Sequence, residues 1–487
     1  MKKLACLTLA AALSLTALSG CSPKAPALPK LDPESPVSLE IWHYYNGPQK
    51  DAFDSLVTEF NETVGQDTGI VVEAFSQGNV NELTAKVLDA AAHKVGASET
   101  PDIFAAYADT AYQVDKLGLL ADLTPYLSEE ELAAYRPEFI AEGHLTDDGT
   151  LKVFPIAKSV ELLMLNATDW AAFSTATGAS LSDLETIEGV TRTARTYYEW
   201  TDSLTPEPDD GKAFFGRDAM ANYFIIGSRQ LGVELFARGK DGVTINADEA
   251  VFRKLWDNYY VPYINGWFSA QGNFRTDAAH TGAIIALVGS SSGSTYFPTE
   301  VTINDLESYP IDYAVYPAPI FDGGEPYAVQ QGAGMCVIAS DPAVEYASTV
   351  FLKWFTDPER NAAFSAGSGY LPVTNEALTL PVLESALSGK ADDTAAGRMR
   401  DTLSAGLDQL NACTCYTTPA FDGGNACRSV LEKSMSEKAD ADRQAILALT
   451  AQGTSLADAV ARYDTDANFQ GWFDQLKADL SAAQAAG

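Results

Sequence analysis

The stretch from Val37 to Pro48, VSLEIWHYYNGP, joins a strand pattern to a loop of polar aromatic residues. The run VSLEIW is typical of a strand, and the apolar residues of 53–60 then recur at helical spacing. Trp42 lies inside the strand and is expected in the core, whereas His43 to Asn46 follow at the strand's end, before Gly47. The stretch therefore predicts a strand whose terminal loop either joins the core or lines a binding cleft.

Strands and helices alternate outward from this stretch. Strand-helix-strand order with apolar strands predicts an α/β fold with a parallel sheet covered on both faces. Ligands of such sheets bind at the carboxyl ends of the strands, where IWHYYNG and AAYADTAY both lie. The predicted elements are strands at 37–42, 70–75 and 101–107, and helices at 49–63 and 82–94.

Apolar strand patterns return late in the chain, which indicates two lobes with more than one crossing between them. Crossings are expected near Lys158-Ser159 and Ala318-Pro319. We expect one lobe from 37–150 plus about 282–340, and the other from 151–281 plus about 341–487. The later predicted elements are strands at 151–156, 161–166, 282–289, 311–319 and 332–340, and a helix at 342–355.

The amino terminus has the pattern of an export signal. Lys2 and Lys3 precede a short apolar run, and Leu18-Ser19-Gly20-Cys21 resembles the lipobox of bacterial lipoproteins. This resemblance implies a signal peptide over 1–20 and lipidation of Cys21, with an ordinary secreted protein as the alternative. The proline-rich segment 22–36 is expected to be an extended tether.

The charge of the chain excludes some partners. A formal net charge of −34 opposes binding to nucleic acid or to an anionic membrane surface. More than 450 residues follow Cys21, enough for two lobes.

Four cysteines remain beyond Cys21. Outside the cytoplasm a disulfide is possible, and we expect Cys427 to pair with either Cys413 or Cys415. The CTC spacing lacks a C-x-x-C pair and the histidines are scattered, so neither a metal site nor another cofactor is expected.

Six segments in this order resemble the extracellular solute-binding proteins of ABC importers, family 1, the maltose- and glycerol-3-phosphate-binding type. The resemblance covers almost the whole mature chain and implies a two-lobed periplasmic-binding-protein fold of class II, with mixed sheets, flanking helices and a hinge. The segments are IWHYYNG (41–47), TPDIFAAYADTAYQVDKLGLLADLTPYL (100–127), FPIAKSVELLMLNATDW (154–170), GAIIALVGSSSGS (282–294), QQGAG (330–334) and FLKWFTDPERNAAFSAGSGYLPVTNEAL (351–378).

The resemblance also implies which residues contact the solute. They follow strands or lie in loops that would face the cleft. Of the adjacent residues Tyr44 and Tyr45, only one is expected to face it. The implied contacts are His43, Tyr44, Tyr45, Asn46, Phe75, Gln77, Tyr107, Asp109, Lys158, Ser159, Ser291, Ser292, Gln331, Gly332 and Tyr370.

One departure from the family bears on the solute's charge. Glycerol-3-phosphate members hold the phosphate with an Arg in an Arg-Leu-Gly-Asn motif, and Asp422 stands at the matching position in FDGGNACRSVLE (421–432). A carboxylate there would repel phosphate, so we expect a neutral or cationic solute. Lys158 could restore an anion site, and Arg217 is a second candidate or a surface salt-bridge residue.

Sugars and polyols suit this residue set. Asn, Gln, Ser and Asp pair with hydroxyls, and aromatic rings pack on C–H faces. We therefore expect a monomeric, lipid-anchored receptor outside the cytoplasm that delivers a carbohydrate-like solute to a membrane permease and has no enzymatic activity. An extracytoplasmic glycoside hydrolase with two carboxylates and a scaffold lipoprotein are the alternatives.

Overall fold

A computed structural model describes residues 28–240, 242–272, 274–388 and 393–486. The expected signal peptide, Cys21 and the first part of the tether lie outside these ranges. Among the described helices, none is long and apolar enough to cross a membrane.

The described strands run through the whole length of the chain. They are β1 (Val37–His43), β2 (Ile70–Ser76), β3 (Ile103–Ala106), β4 (Glu161–Asn166), β5 (Phe215–Arg217), β6 (Phe236–Gly239), β7 (Gly242–Ile245), β8 (Ala286–Ser290), β9 (Glu300–Asn304), β10 (Glu307–Pro310), β11 (Tyr313–Pro317), β12 (Tyr327–Val329), β13 (Gly334–Val337) and β14 (Thr414–Tyr416).

Helices separate the strands and form most of the carboxyl-terminal part. They are α1 (Gly47–Glu62), α2 (Val64–Thr68), α3 (Val80–Ala91), α4 (Ala108–Lys116), α5 (Glu129–Ala133), α6 (Pro137–Ala141), α7 (Ala167–Thr177), α8 (Ile187–Asp202), α9 (Met220–Gln230), α10 (Glu249–Asp257), α11 (Tyr260–Ile264), α12 (Arg275–His280), α13 (Pro342–Phe355), α14 (Pro358–Ser368), α15 (Leu380–Leu387), α16 (Asp393–Ala412), α17 (Gly424–Thr450), α18 (Leu456–Val460) and α19 (Asp466–Ala486), with 3₁₀ turns at Thr124–Tyr126, Leu181–Leu184 and Ser291–Tyr296.

The first sheet has the order β13-β3-β1-β2. β1 pairs in parallel with β2 and β3, so the predicted strand-helix alternation from 37 to 107 is confirmed. β13 pairs antiparallel to β3. All four residues of β3 are buried, as expected for a strand covered by helices on both faces.

The second sheet has the order β11-β4-β8-β5. β4 pairs antiparallel to β8 and β11, and β5 is parallel to β8. All six residues of β4 are buried, including Glu161 at its start. Each sheet is part of its own apolar core, which gives the expected two-lobed α/β architecture with mixed sheets.

The allocation of late segments to the lobes differs from the prediction. The strand predicted at 282–289 belongs to the second lobe, because the strand that forms there, β8, is hydrogen-bonded between β4 and β5. Helix α13, expected in the second lobe, packs on the first: Phe351 lies against Phe60, and Phe355 against Phe53 of α1. An apolar strand or helix pattern predicts burial but does not indicate which sheet covers it.

The chain crosses between the cores near three places. The first is the predicted Lys158-Ser159, whose backbone bridges to residues 371 and 331. The second is 329–333 rather than Ala318-Pro319, because Val329 packs in the second core and Ala333 in the first. The third follows β14, where Ala420 and Phe421 belong to different cores.

Residues 151–156 also differ from the prediction. They form no continuous strand, and only Phe154 makes a bridge, to Met335. The apolar side chains of this segment are nevertheless buried in the first core, so its hydrophobic pattern reflects burial without sheet pairing.

The expected disulfide is absent, since all four described cysteines are free. Cys427 lies in α17 of the second core, with its Sγ 3.7 Å from the Leu480 carbonyl oxygen. Cys415 is buried in the first core. The two cysteines are therefore held in different lobes, which the sequence spacing could not indicate.

A buried ion pair lies at the first crossing. Lys158 Nζ is 2.5 Å from Glu142 Oε2, and the two side chains are 2% and 5% exposed. Lys158 also donates to the Gly332 carbonyl oxygen at 2.9 Å, and Gln330 donates to the same carboxylate. The network ties the two crossing segments together.

Replacing Lys158 tests how much this network contributes. Lys158→Met leaves the Glu142 carboxylate buried without its cation, so the free energy of unfolding should fall by about 3–5 kcal/mol. Urea unfolding measures this loss. The control Lys116→Met breaks the exposed pair with Asp422 and should cost much less. Equal losses for the two variants would contradict the assignment.

Candidate functional site

The carboxyl ends of the first sheet's parallel strands meet the end of β8 where the two lobes come together. The Tyr296 hydroxyl donates to the Asn46 carbonyl oxygen at 3.4 Å, and Gln49 Nε2 donates to the Ser292 carbonyl oxygen at 3.3 Å. These contacts join the loop after β1 to the 3₁₀ turn after β8. This junction between the lobes, here called the cleft, lies at the strand ends where α/β proteins bind ligands.

A group of tyrosines lines the first-lobe side of this cleft. Tyr44 Oη lies 3.2 Å from Tyr370 Oη and accepts a hydrogen bond from the Ala333 N–H at 3.3 Å. Tyr107, at the end of β3, is 37% exposed. Burial of the phenol oxygens raises the pKa of Tyr44, Tyr107 and Tyr370, so all three stay protonated and can donate hydrogen bonds.

His43 and Tyr45, both implied contacts, are core residues instead. His43 is fully buried, its Nδ1 accepts from the Tyr45 N–H at 3.1 Å, and its ring packs on Tyr45 and Phe53. Tyr45 is 1% exposed and contacts Phe364. The β pleat directs Tyr44 toward the cleft and its neighbours inward.

Three further predicted contacts follow the first and second strands of the first lobe or lie at their ends. Asn46 is exposed, and its Nδ2 donates to the carbonyl oxygens of Tyr44 and Gly78, which holds the loop in place. Phe75, at the end of β2, is 45% exposed. Gln77 is partly buried and accepts from Lys86 Nζ at 2.9 Å. The exposed Asn46 side chain and the Phe75 ring remain accessible to a solute.

The first crossing contributes backbone groups, rather than charged side chains, to the cleft. Ser159 and Gln331 exchange backbone hydrogen bonds, each at 2.9 Å. Gly332 has φ +92°, and a Cβ there would lie 2.7 Å from the Ala157 carbonyl oxygen, so only glycine fits. Lys158 is neutralised by Glu142, which removes it as the anion site considered above. The buried Gln331 Oε1 has no partner among the described residues.

The loop after β8 that contains residues 290–294, here called the serine loop, forms the opposite wall. Ser290 and Ser292 Oγ atoms lie 2.9 Å apart, and Ser290 caps the 3₁₀ turn by accepting from the Ser292 N–H. Ser291 is fully buried, and its Oγ lacks a partner within the described ranges. The close approach of this loop to Gly369 brings it beside Tyr370.

Asp109 lies where the two lobes meet. It is 7% exposed, and its Oδ1 has no hydrogen-bond partner in the described part of the chain. Burial raises the pKa of Asp109 to about 6, while the Arg428 charge and the Phe421 backbone N–H act in the opposite direction. The carboxylate therefore lies close to cationic and N–H groups of the second lobe.

The expectation for Asp422 needs correction. Asp422 lies on the outer edge of the contact between the lobes, 2.5 Å from Lys116 Nζ, and both side chains are 48% exposed. It does not stand in the cleft. The charged residue of this segment beside Asp109 is Arg428, one turn into α17.

Arg428 begins a polar chain that leads into the second lobe. Arg428 donates to Asn222 Oδ1 at 3.0 Å, and Asn222 Nδ2 donates to Glu161 Oε1 at 3.0 Å. Glu161 Oε2 accepts from Arg217 at 2.8 Å. Both members of this last pair are nearly buried, so Arg217 is neither a surface residue nor a free anion site.

A small cavity of about 30 Å³ adjoins this polar chain, lined by Glu161, Arg217, Asn222, Tyr223, Gln230 and Gln409 among others. The sequence contained a signal for it, because a carboxylate that opens the apolar strand ELLMLN requires a buried partner. Its partners on β5 and α9 are distant in sequence and could not be read from spacing.

The chain belongs to the bacterial extracellular solute-binding proteins, whose family profile matches residues 55–389. No curated protein matches the sequence.

Solved structures of solute-binding proteins share the two-lobed fold. The cyclic alpha-maltosyl-1,6-maltose binding protein from Arthrobacter globiformis has a TM-score of 0.62 at 17% identity, covering 93% of this chain and 100% of that one. UgpB from Mycobacterium tuberculosis in complex with glycerophosphocholine has a TM-score of 0.61 at 17% identity, covering 92% and 99%. The GacH receptor of Streptomyces glaucescens has a TM-score of 0.62 at 16% identity, covering 90% and 98%.

The burial of His43 predicts acid sensitivity. Burial lowers the pKa of His43 to about 4 from 6.5, so the folded state binds fewer protons than the unfolded state between these values. The stabilisation is complete above pH 6.5 and is lost as the pH falls toward 4, by about 3 kcal/mol. Urea unfolding across this range should show a shallower pH dependence for His43→Gln. The exposed His93→Gln should retain the wild-type slope, and an unchanged slope in His43→Gln would contradict the assignment.

Proposed function

We propose that this protein captures a carbohydrate-like solute, such as a sugar, oligosaccharide or polyol derivative, between its lobes and delivers it to the permease of an ABC importer. The observation that carries the proposal is the cleft at the strand ends, with the hydroxyls of Tyr44, Tyr107 and Tyr370 on one wall and the serine loop on the other. Phenol hydroxyls pair with sugar hydroxyls, and the rings pack against C–H faces.

The related structures support the same class of solute. They include a cyclic alpha-maltosyl-1,6-maltose binding protein and complexes of other binding proteins with acarbose, glycerophosphocholine and cycloalternan. Most of these are oligosaccharides or analogues of them. Partial exposure of Tyr107, Phe75 and Asn46 leaves polar and aromatic surface for such a ligand.

The cellular setting is part of the proposal. The protein acts as a monomer on the outer side of a membrane, held by acyl chains on Cys21 and the tether that follows it. More than one acyl chain is needed for stable anchoring. The permease subunits and the solute are its partners.

Binding without turnover completes the proposal. A glycoside hydrolase needs two carboxylates on either side of the bond it cleaves. In the cleft region Glu161 is held by Arg217 and Asn222, and Asp109 is enclosed between the lobes. Neither carboxylate is placed as a free acid beside an open surface, which supports binding as the function.

A panel of neutral sugars, oligosaccharides and polyols tests the function by thermal shift and titration calorimetry. A solute at a hundred times its Kd should stabilise the protein by about 2.7 kcal/mol. The sugar must be recovered unchanged. Hydrolysis would favour the enzyme, and the absence of any stabilising ligand from the panel would remove the proposal.

Tyr107 is the aromatic residue with which the cleft can be tested directly. Tyr107→Ala removes a partly exposed ring and a hydroxyl donor, so the Kd for the solute that the panel identifies should rise about five- to thirtyfold. Calorimetry measures the change. Tyr463→Ala, three residues beyond the end of α18, is the matched control and should bind like wild type. Equal affinities for wild type and Tyr107→Ala would show that the solute binds elsewhere.

A further inference from the structure

The amino termini of two helices from opposite lobes meet at Asp109. Asp109 lies in the first turn of α4, and Gly424 is the first residue of α17. A Cβ at Gly424 would lie 2.4 Å from Asp109 Oδ1, so only glycine permits this approach. On the same contact, Asn425 Nδ2 donates to Thr110 Oγ1 at 3.4 Å.

Neither helix supplies a side chain that caps its own amino terminus. The N-cap residues are Tyr107 for α4 and Gly423 for α17, and neither makes a side-chain cap hydrogen bond. The first N–H groups of a helix have no partner within the helix and carry partial positive charge. Two such ends facing each other form a place that favours an anion.

Arg428 adds a full positive charge to this place. It lies one turn into α17, is half-buried, and its charge acts on both Asp109 and Tyr107. Its hydrogen bond to Asn222 fixes the guanidinium toward the polar chain of the second lobe. The Asp109 carboxylate is thus the anion that occupies a site made by two helix ends and an arginine.

We propose that Asp109 is a specificity-determining residue, a built-in counter-anion that excludes solutes carrying a phosphate or carboxylate at this end of the cleft. Oδ1 of this buried carboxylate has no hydrogen-bond partner among the described residues, and the Arg428 charge and the Phe421 backbone N–H are the groups that favour the carboxylate there. A second anion would meet an occupied position and a like charge. The inference rests on the proposed function in that the cleft must bind a solute, and it assigns that solute to the neutral or cationic class.

Removing the carboxylate should convert the place into an anion site. Asp109→Ala vacates the position of the carboxylate, so inorganic phosphate or formate should raise the melting temperature more than chloride at equal ionic strength. Wild type should show no such difference. Asp109→Asn fills the same space without charge and should show a much smaller gain than Asp109→Ala.

Two controls locate the effect. Asp422→Ala removes one negative charge from the outer edge of the same contact and should behave like wild type, since its carboxylate is exposed. Adding Arg428→Gln to Asp109→Ala should weaken phosphate binding by about tenfold in calorimetry. If Asp109→Ala is poorly folded, the measurement is whether phosphate restores its folded state better than chloride does. Asp109→Gly repeats the experiment with a larger vacated space.

The decisive outcomes do not depend on knowing the solute. No preference of Asp109→Ala and Asp109→Gly for phosphate or formate over chloride would overturn the inference, as would an equal preference in Asp422→Ala. Glycerol and glycerol 3-phosphate then form a matched pair, and only Asp109→Ala should prefer the phosphate ester. If the wild-type protein binds no sugar, the proposed function is wrong. The anion experiment would still test the role of Asp109 by itself.

Discussion

The backbone pairing at the first crossing determines where the two lobes meet. Lys158 and Ser159 bridge to Leu371 and Gln331, and Gly332 approaches so closely that a side chain would not fit. Burying these polar groups is tolerated only because the backbone is paired and the lysine has its carboxylate. The same segments carry Tyr370 and the QQGAG loop (330–334) to the cleft, so the wall of the candidate site depends on the crossing.

Much of the first lobe was predictable because its signals are local. The strand ending in His43 and the helix after it follow from hydrophobic periodicity, and the parallel sheet follows from their alternation. The allocation of β8 and α13 to lobes was not predictable, since their apolar residues suit either core. Pairing across a hundred or more residues is set by tertiary contacts that a single sequence does not contain.

The site was predictable in part for the same reason. Tyr44, Tyr107 and Asn46 follow strands and lie near the cleft, whereas His43 and Tyr45 are in the core because the pleat alternates. The charged residues are different. Motif spacing pointed to Asp422, yet the helix that starts at Gly424 turns Arg428 toward Asp109 and leaves Asp422 outside. In a loop that precedes a helix, a residue at the matching position of a motif need not lie at the matching place in the cleft.

The contacts between the lobes indicate what must provide the energy of closure. The hydrogen bonds of Tyr296 to Asn46 and of Gln49 to Ser292 are long, and the Lys116–Asp422 pair is exposed to water. Exposed ion pairs and long hydrogen bonds contribute little, so these contacts align the lobes without locking them. A solute can favour the closed state only through interactions that differ between open and closed forms. Under the proposed function, those interactions would come from the tyrosine hydroxyls of one wall and the serine loop of the other, because closure would bring both to the same ligand.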